Sequence, residues 1–178
     1  MNSRSPFTAS HCHSWVAVTL VCLWTTLVAG CGFHLRGAVE LPPSFDKTYI
    51  DAPGVDRKMV RSLSQSLRAS GVQVVSDREE AGAVLALRQQ YARRPLSMDD
   101  NADVREFELV FQVYFQVRSA SGETLLREQQ VQLYRDYTYD KNDILGKSEE
   151  EENIREDMMR DAVQQVMRRL ETSLGQAG

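Results

Sequence analysis

Cysteine is scarce in this chain of 178 residues, and none lies in the part that is long enough to fold. Cys12 and Cys22 fall within residues 1–30, and the third cysteine is Cys31. The segment after Cys31 therefore has no thiol for a disulfide framework or a thiolate metal site. Side-chain packing alone must hold that segment together.

Catalytic signatures are missing as well. After residue 30 the chain has a single histidine, His34, and it contains no Gly-rich phosphate loop, HExxH or GxSxG motif. No two carboxylates are placed by their spacing in a common pocket. We therefore predict that the protein is not an enzyme and that it needs no cofactor and no metal.

Basic residues are not in excess. The chain has 21 Lys and Arg against 25 Asp and Glu, a formal net charge of −4. Residues 1–30 carry only Arg4, so the remainder has 20 basic and 25 acidic residues and a charge of −5. Nucleic-acid binders are usually basic, which argues against a nucleic-acid partner. The remaining length suits one domain.

The chain has one long uncharged apolar run, residues 15–28. It is shorter than the roughly 20 residues that a membrane-spanning helix needs, and the small residues Ala29 and Gly30 follow it. This pattern predicts an export signal over residues 1–30. The alternative is a short membrane anchor that stays on the chain.

The residue that follows the signal favours the export signal over the retained anchor. Val28-Ala29-Gly30-Cys31 resembles the bacterial lipobox, in which the first mature cysteine receives a diacylglycerol and then a further acyl chain such as palmitate. Cys31 is therefore the predicted lipid-attachment site, and several acyl chains give stable anchoring. In lipoproteins of this kind, an Asp directly after the acylated cysteine retains the protein at the inner membrane. This chain has Gly32 at that position, so the resemblance implies delivery to the outer membrane. Residues 31–43 read as an acylated tether.

The rest of the chain alternates between strand and helix patterns. A helix is predicted over residues 56–70, with Asp56 as its N-cap and Gly71 just beyond its end. A second helix is predicted from a Ser148–Glu151 capping box to about Leu174. Strands are predicted over residues 47–51, 72–75, 83–91, 105–118 and 124–139, although residues 83–91 also suit a helix.

Residues 105–118 form the clearest strand. Apolar side chains occupy one parity, and mostly polar ones occupy the other (Phe107, Leu109, Phe111, Val113, Phe115 and Val117 against Glu108, Gln112, Gln116 and Arg118, joined by Val110 and Tyr114). One sheet face is therefore a core wall. We predict an α/β two-layer sandwich over residues 44–174, with a mixed sheet and two helices packed on one face. Residues 175–178 are expected to be a disordered tail.

Two predicted loops carry cations. Residues 92–103 contain Arg93, Arg94 and Pro95 and are bordered by Arg105, and residues 140–147 end in Lys147. Arg suits phosphate because its planar fork donates two hydrogen bonds. Two basic loops at one end of a sheet could grip an anionic glycolipid, whereas ordinary solvated loop charges are the alternative for each residue.

The heptapeptide Cys31-Gly32-Phe33-His34-Leu35-Arg36-Gly37 resembles the opening of mature lipopolysaccharide-assembly lipoproteins, the LptE or rare lipoprotein B family. The order of elements extends this similarity over most of the chain. The resemblance implies an outer-membrane lipoprotein that plugs and helps to assemble the LptD β-barrel and binds lipopolysaccharide.

The resemblance also implies functional residues. Lys147 is the closest positional match to the lysine that binds lipopolysaccharide in that family, and Arg93, Arg94 and Arg105 match less closely because their loop diverges. Tyr114 and Gln116, on the polar parity of the long strand, are the candidate contacts with the barrel. The alternative is a free-standing envelope lipoprotein, facing the periplasm, that binds a ligand or has a structural role.

Overall fold

The structure is a computed structural model that describes residues 43–98, 100 and 103–175. Its central element is a mixed β-sheet. The described residues belong to one compact unit of the chain, Ala38–Gly178. The predicted signal peptide, Cys31 and residues 176–178 of the predicted tail lie outside the described residues. The tether does too, except for Pro43, which opens a short 3₁₀ turn, Pro43–Phe45.

The sheet has five strands in the order β2-β1-β3-β4-β5. They are β1 (Lys47–Asp51), β2 (Gln73–Val75), β3 (Ala83–Met98), β4 (Val104–Ser119) and β5 (Thr124–Thr138). β1 runs parallel to both β2 and β3, whereas β3, β4 and β5 form an antiparallel meander. The predicted mixed sheet is confirmed, and residues 83–91 are strand rather than helix.

Both helices pack on the same face of this sheet. They are α1 (Arg57–Ala69) and α2 (Ile144–Leu174). Met59, Leu63 and Leu67 of α1 are fully buried, and they share one core cluster with the buried stripe of α2 and the apolar parity of β4. The predicted two-layer α/β sandwich is confirmed.

The ends of α1 follow the sequence signals. The Asp56 carboxylate accepts a hydrogen bond from the Lys58 backbone N–H at 2.8 Å, which satisfies one orphan donor of the first turn. Beyond the last turn, Gly71 has a φ of 88°. That left-handed conformation costs a residue with a Cβ more than it costs glycine, so Gly71 ends the helix as predicted.

The predicted loop over residues 92–103 is wrong, because β3 continues to Met98. Arg93, Arg94 and Pro95 pair with Leu109, Glu108 and Phe107 of β4. The neighbouring strand β1 reaches only as far as Ala86 on the other side of β3. Pro95 therefore lies in an edge stretch of β3, where a residue without an N–H is tolerated, and a register shift follows it.

The predicted start of α2 is also wrong. The N-cap is Asp143 rather than Ser148, and its carboxylate accepts a hydrogen bond from the Gly146 N–H at 3.1 Å. The Lys147 N–H donates to the Asp143 carbonyl at 3.0 Å, so Lys147 is helical and does not lie in a loop. An aspartate caps a helix as well as a serine does when the residue three positions later has an unpaired backbone N–H, as Gly146 has for Asp143. The earlier cap lengthens the helix by five residues, since it starts at Ile144.

The second face of the sheet carries no helix among the described residues, because both helices belong to the core of the first face. Strand alternation places a mostly uncharged polar set on this open face of β3, β4 and β5. Its members along the middle of the three strands are Ala86, Arg88, Gln90, Ala92, Val110, Gln112, Tyr114, Gln116, Gln130, Gln132 and Tyr134. We call this surface the open face.

Replacing Phe111 with Ala tests the packed face. Phe111 is fully buried at the centre of β4, so the substitution should lower the free energy of unfolding by about 3–5 kcal/mol in urea titrations. Its neighbour Gln112 lies on the open face, and Gln112→Ala should cost less than about 0.5 kcal/mol. Equal losses for the two variants would contradict the assignment of the faces.

Candidate functional site

The structure brings three of the four cationic candidates to the helix side of the sheet, at the end where β4 begins. Arg93 of β3 and Arg105 of β4 fall on the helix-facing parity, and Lys147 lies in the first turns of α2. Arg94 falls on the opposite parity, and its guanidinium is 3.9 Å from the Glu108 carboxylate. We call Arg93, Arg105 and Lys147 with their aromatic neighbours the basic–aromatic cluster.

Three aromatic rings form the floor of this cluster. Phe107 lies 6.4 Å from Tyr137 in a stacked arrangement and 6.0 Å from Tyr139 edge to face, measured between ring centres. Phe107 and Tyr137 are register partners on β4 and β5. The Tyr139 N–H extends the ladder by donating to the Arg105 carbonyl at 2.8 Å. Rigid strand pairing therefore sets the spacing of the rings.

The cations lie over these rings. The guanidinium carbon of Arg93 is 4.4 Å from the centre of Phe107, and the Lys147 ammonium is 5.9 Å from the centre of Tyr137. Both distances fall within the range of cation–π attraction. The Tyr137 hydroxyl also donates to the Lys147 carbonyl at 2.6 Å, which ties the first turns of α2 to the sheet.

Carboxylates from α2 balance the two cations. Arg93 pairs with Glu151 at 3.0 Å, and Lys147 pairs with Glu150 at 2.6 Å. The hydrogen bond that Lys147 donates to Glu150 raises the pKa of Lys147, which favours its charged form. Surface pairs of this kind contribute little to stability and exchange readily with an incoming anion.

Tyr91 shares the Glu151 carboxylate with Arg93. Its hydroxyl donates to Glu151 at 2.9 Å. Burial raises the pKa of Tyr91 far above its ordinary value, and the hydrogen bond to Glu151 adds to the shift. An open cleft of about 490 Å³ adjoins this pair and is lined by Tyr91, Ser148, Glu151, Glu152 and Arg155.

Arg105 lies at a smaller hollow that shares Phe107 and Tyr139 with the basic–aromatic cluster. Arg105 and Lys141 line a cavity of about 100 Å³ together with Asp103, Val104, Phe107 and Tyr139. Lys141 forms an ion pair with Asp103 across this hollow. Within the second predicted loop, residues 140–147, Lys141 therefore approaches the start of β4.

Tyr114 and Gln116, the candidate partner contacts, lie on the open face. The guanidinium carbon of Arg88 is 5.0 Å from the Tyr114 ring centre, and Arg88 also pairs with Glu128 at 2.8 Å. The Gln130 amide donates to the Tyr114 hydroxyl at 3.3 Å. These cross-strand contacts hold the polar side chains against the sheet and present a flat, nearly uncharged surface.

Within residues 43–98, 100 and 103–175, no cluster of three or more His, Cys, Asp or Glu side chains is arranged to hold a metal ion. In the same residues, neither helix is both long enough and apolar enough to cross a membrane. Cations over aromatic rings suit an anionic group attached to an apolar body.

Solved structures first identify the class of protein. The solution structure of a lipoprotein B from Nitrosomonas europaea superposes with a TM-score of 0.66 at 34% identity, over 81% of this chain and 94% of that one. The crystal structure of the rare lipoprotein B from Shewanella oneidensis gives 0.60 at 23% identity, over 71% and 95%, and supports the fold alone. The chain thus has the α/β domain of bacterial envelope lipoproteins.

The family follows from the sequence comparisons. The family model described as LptE, lipopolysaccharide-assembly, matches residues 37–170. LPS-assembly lipoprotein LptE of Yersinia enterocolitica is 28% identical over 87% of this chain and 75% of its own, and that of Pectobacterium atrosepticum is 28% identical over 84% and 81%. The chain belongs to the LptE family of lipopolysaccharide-assembly lipoproteins, which act in lipopolysaccharide transport and cell-envelope biogenesis.

Sequence reasoning missed Tyr91, Glu151 and the ring cluster as parts of this site. The parity of β4 and β5 would have placed Phe107 beside Tyr137 had the register of the hairpin been known. Nothing local marks Glu151 as a partner of Arg93, because the two residues are 58 positions apart in the chain.

Replacing Tyr91 with Phe tests the buried hydroxyl. An unfolded chain ionises tyrosine near pH 10, whereas folded Tyr91 stays protonated to higher pH. Above about pH 10 the unfolded state therefore loses a proton that the folded state keeps, and stability falls as the pH rises. Urea titrations at pH 8 and 11 should show a larger loss for the wild type than for Tyr91→Phe. Equal losses would contradict the raised pKa.

Proposed function

We propose that this protein is anchored in the outer membrane through an acylated Cys31, contacts the LptD barrel through its open face, and binds lipopolysaccharide at the basic–aromatic cluster. The single observation that carries the proposal is the two-sided sheet. One face is buried under two helices, and the other offers a broad polar surface that nothing within the described residues covers. The proposed role is non-enzymatic.

The composition of the open face supports a barrel partner. The lumen of a large outer-membrane barrel is polar, so a protein seated in it needs a polar rather than an apolar contact surface. Amides of Gln90, Gln112 and Gln132 lie in one row across three strands, next to the row of Arg88, Tyr114 and Gln130. Such side chains both donate and accept hydrogen bonds, which suits a polar wall.

The basic–aromatic cluster supports an anionic glycolipid as ligand. A phosphate group would compete with Glu150 and Glu151 for Lys147 and Arg93, and charge-assisted bonds to phosphate are among the stronger hydrogen bonds. Apolar side chains close in sequence to these two cations are exposed, namely Leu96 and Met98 on β3 and Ile144 and Leu145 on α2. Acyl chains are the natural occupants of such apolar surface.

Reversing the charge of Lys147 tests the ligand. Lys147→Glu places a carboxylate beside Glu150 and Glu151, so the affinity for purified lipopolysaccharide should fall about tenfold or more, which corresponds to about 1.4 kcal/mol. Arg61→Glu makes the same charge change on the exposed side of α1 and should leave the affinity unchanged. Unaltered binding by a folded Lys147→Glu variant would remove Lys147 from the site.

A charge on the open face tests the partner. Gln116→Glu and Tyr114→Glu bury a new carboxylate in the proposed contact, so less LptD should copurify with the tagged, acylated protein from solubilised outer membranes. Gln65→Glu on exposed α1 is the matched control and should retain the barrel. Equal recovery of LptD with all three variants would argue against this face. Recovery of the wild-type lipoprotein alone would favour the free-standing alternative.

A further inference from the structure

We propose that the Tyr91 hydroxyl and the Arg93 guanidinium form a binding position for a phosphate group of the ligand, and that the Glu151 carboxylate occupies this position in the free protein. Because Arg93 belongs to the basic–aromatic cluster, this assignment rests on the proposed function, the binding of lipopolysaccharide there. Tyr91 is then a ligand contact, and Glu151 is an internal competitor that keeps the binding reversible.

Both oxygens of the Glu151 carboxylate are held by side chains of β3. One oxygen accepts a hydrogen bond from the Tyr91 hydroxyl at 2.9 Å, and the other accepts one from Arg93 at 3.0 Å. The Glu151 side chain is 21% exposed, whereas those of its neighbours Glu150 and Glu152 are 47% and 45% exposed. The Glu151 carboxylate therefore marks an anion position with two convergent donors.

The two donors are positioned without help from Glu151. Tyr91 and Arg93 are alternate residues of β3, so both side chains lie on the helix side of the sheet. The Tyr91 ring centre is 6.4 Å from that of buried Phe111. The Arg93 guanidinium lies over the Phe107 ring, and burial raises the pKa of Tyr91, which keeps its hydroxyl a donor. Contacts with β4 thus hold the pair in place for another anion.

A phosphate group can satisfy both donors at once. It has more oxygens than a carboxylate, and its hydrogen bonds to a guanidinium are charge-assisted. In the part of the chain that the structure describes, the Arg93 guanidinium makes one hydrogen bond, to Glu151, so most of its five N–H donors are available. The open cleft lined by Tyr91, Ser148 and Glu151 admits a phosphate and leaves room for the Glu151 side chain to withdraw.

The displacement of Glu151 lowers the affinity for the ligand. An incoming phosphate must replace the carboxylate at Arg93, and the displaced carboxylate stays on α2 beside the bound phosphate, where like charges repel. The ligand therefore binds more weakly, and dissociates faster, than Tyr91 and Arg93 alone would allow. Reversible binding of this kind suits a protein of lipopolysaccharide transport.

Removing the internal anion tests the proposal. Glu151→Ala frees the position, so the dissociation constant for purified lipopolysaccharide, measured with the full acylated protein in detergent, should fall about threefold or more, as expected for the loss of one partly exposed ion pair. Glu149→Ala removes the same charge from an exposed side chain of α2 that has no hydrogen bond or ion pair among the described residues, and it should change the constant less. Equal dissociation constants for the two variants would overturn the proposal.

Tyr91 is tested in the Glu151→Ala background, where its hydroxyl has lost the internal acceptor. Adding Tyr91→Phe should raise the dissociation constant about threefold or more, because a hydrogen bond to a charged group is lost. Adding Tyr134→Phe removes an exposed hydroxyl from the open face and should leave the affinity unchanged. A Tyr91 that served only to hold Glu151 would have no effect in this background, so equal results for the two additions would overturn the proposal.

Lys147→Glu separates a failure of this proposal from a failure of the proposed function. If Lys147→Glu weakens binding while Glu151→Ala and Glu149→Ala bind alike, lipopolysaccharide binds at the cluster and only the role of Glu151 is overturned. If the wild type does not bind lipopolysaccharide, or binds it independently of Lys147, both are overturned. Circular dichroism establishes that each variant is folded. If Glu151→Ala does not fold, Glu151→Gln is compared with Glu149→Gln by the same criterion.

Discussion

The strict alternation of β4 is the constraint on which the rest of the structure depends. Five consecutive odd positions, from Leu109 to Val117, are fully buried, and every element of the core contacts or flanks this wall. This wall supplies the centre of the core cluster that buries the apolar stripes of α1 and α2. The same alternation sends every even position to the opposite face, so the core and the open face arise from one pattern.

The unequal lengths of the strands decide where the functional surfaces lie. β3 and β4 have 16 residues each, whereas β1 has five. The hairpin therefore extends well past β1, and the first turns of α2 cover its projecting end. Arg93, Phe107 and Lys147 meet there because the strand register and the Tyr137–Lys147 hydrogen bond bring them together. The long meander also leaves β5 at the edge of the sheet, where Arg169 of α2 donates to the Gln130 carbonyl.

The elements were predictable to the extent that their signals are local. The parity of β4, the stripe of α1 and the cap at Asp56 each depend on neighbouring residues, and all three appear in the structure. The end of β3 was not predictable in this way, since Arg93-Arg94-Pro95 has loop composition and becomes strand only through pairing with residues 107–109. The start of α2 was missed because two competent caps, Asp143 and Ser148, lie five residues apart.

The residues of the candidate site were also predictable only where their signals are local. Arg93, Arg105 and Lys147 were identifiable as cations near one end of a sheet, but only the observed parity separates them from Arg94. Their aromatic and acidic partners come from β4, β5 and α2, and contacts between distant segments leave no trace in a single sequence. Membership of the LptE family supplies the biological process, while the sheet register supplies the arrangement of residues that could perform it.

The most direct test of the account is whether the open face is covered in the cell envelope. Under the proposed acylation of Cys31, residues 31–178 hold no free thiol, so Gln116→Cys introduces a unique one on that face. Coverage of the open face by LptD predicts that a small maleimide labels this thiol quickly in the purified protein and slowly in intact cells, and that depletion of LptD restores fast labelling. Fast labelling in cells with a normal amount of LptD would contradict it.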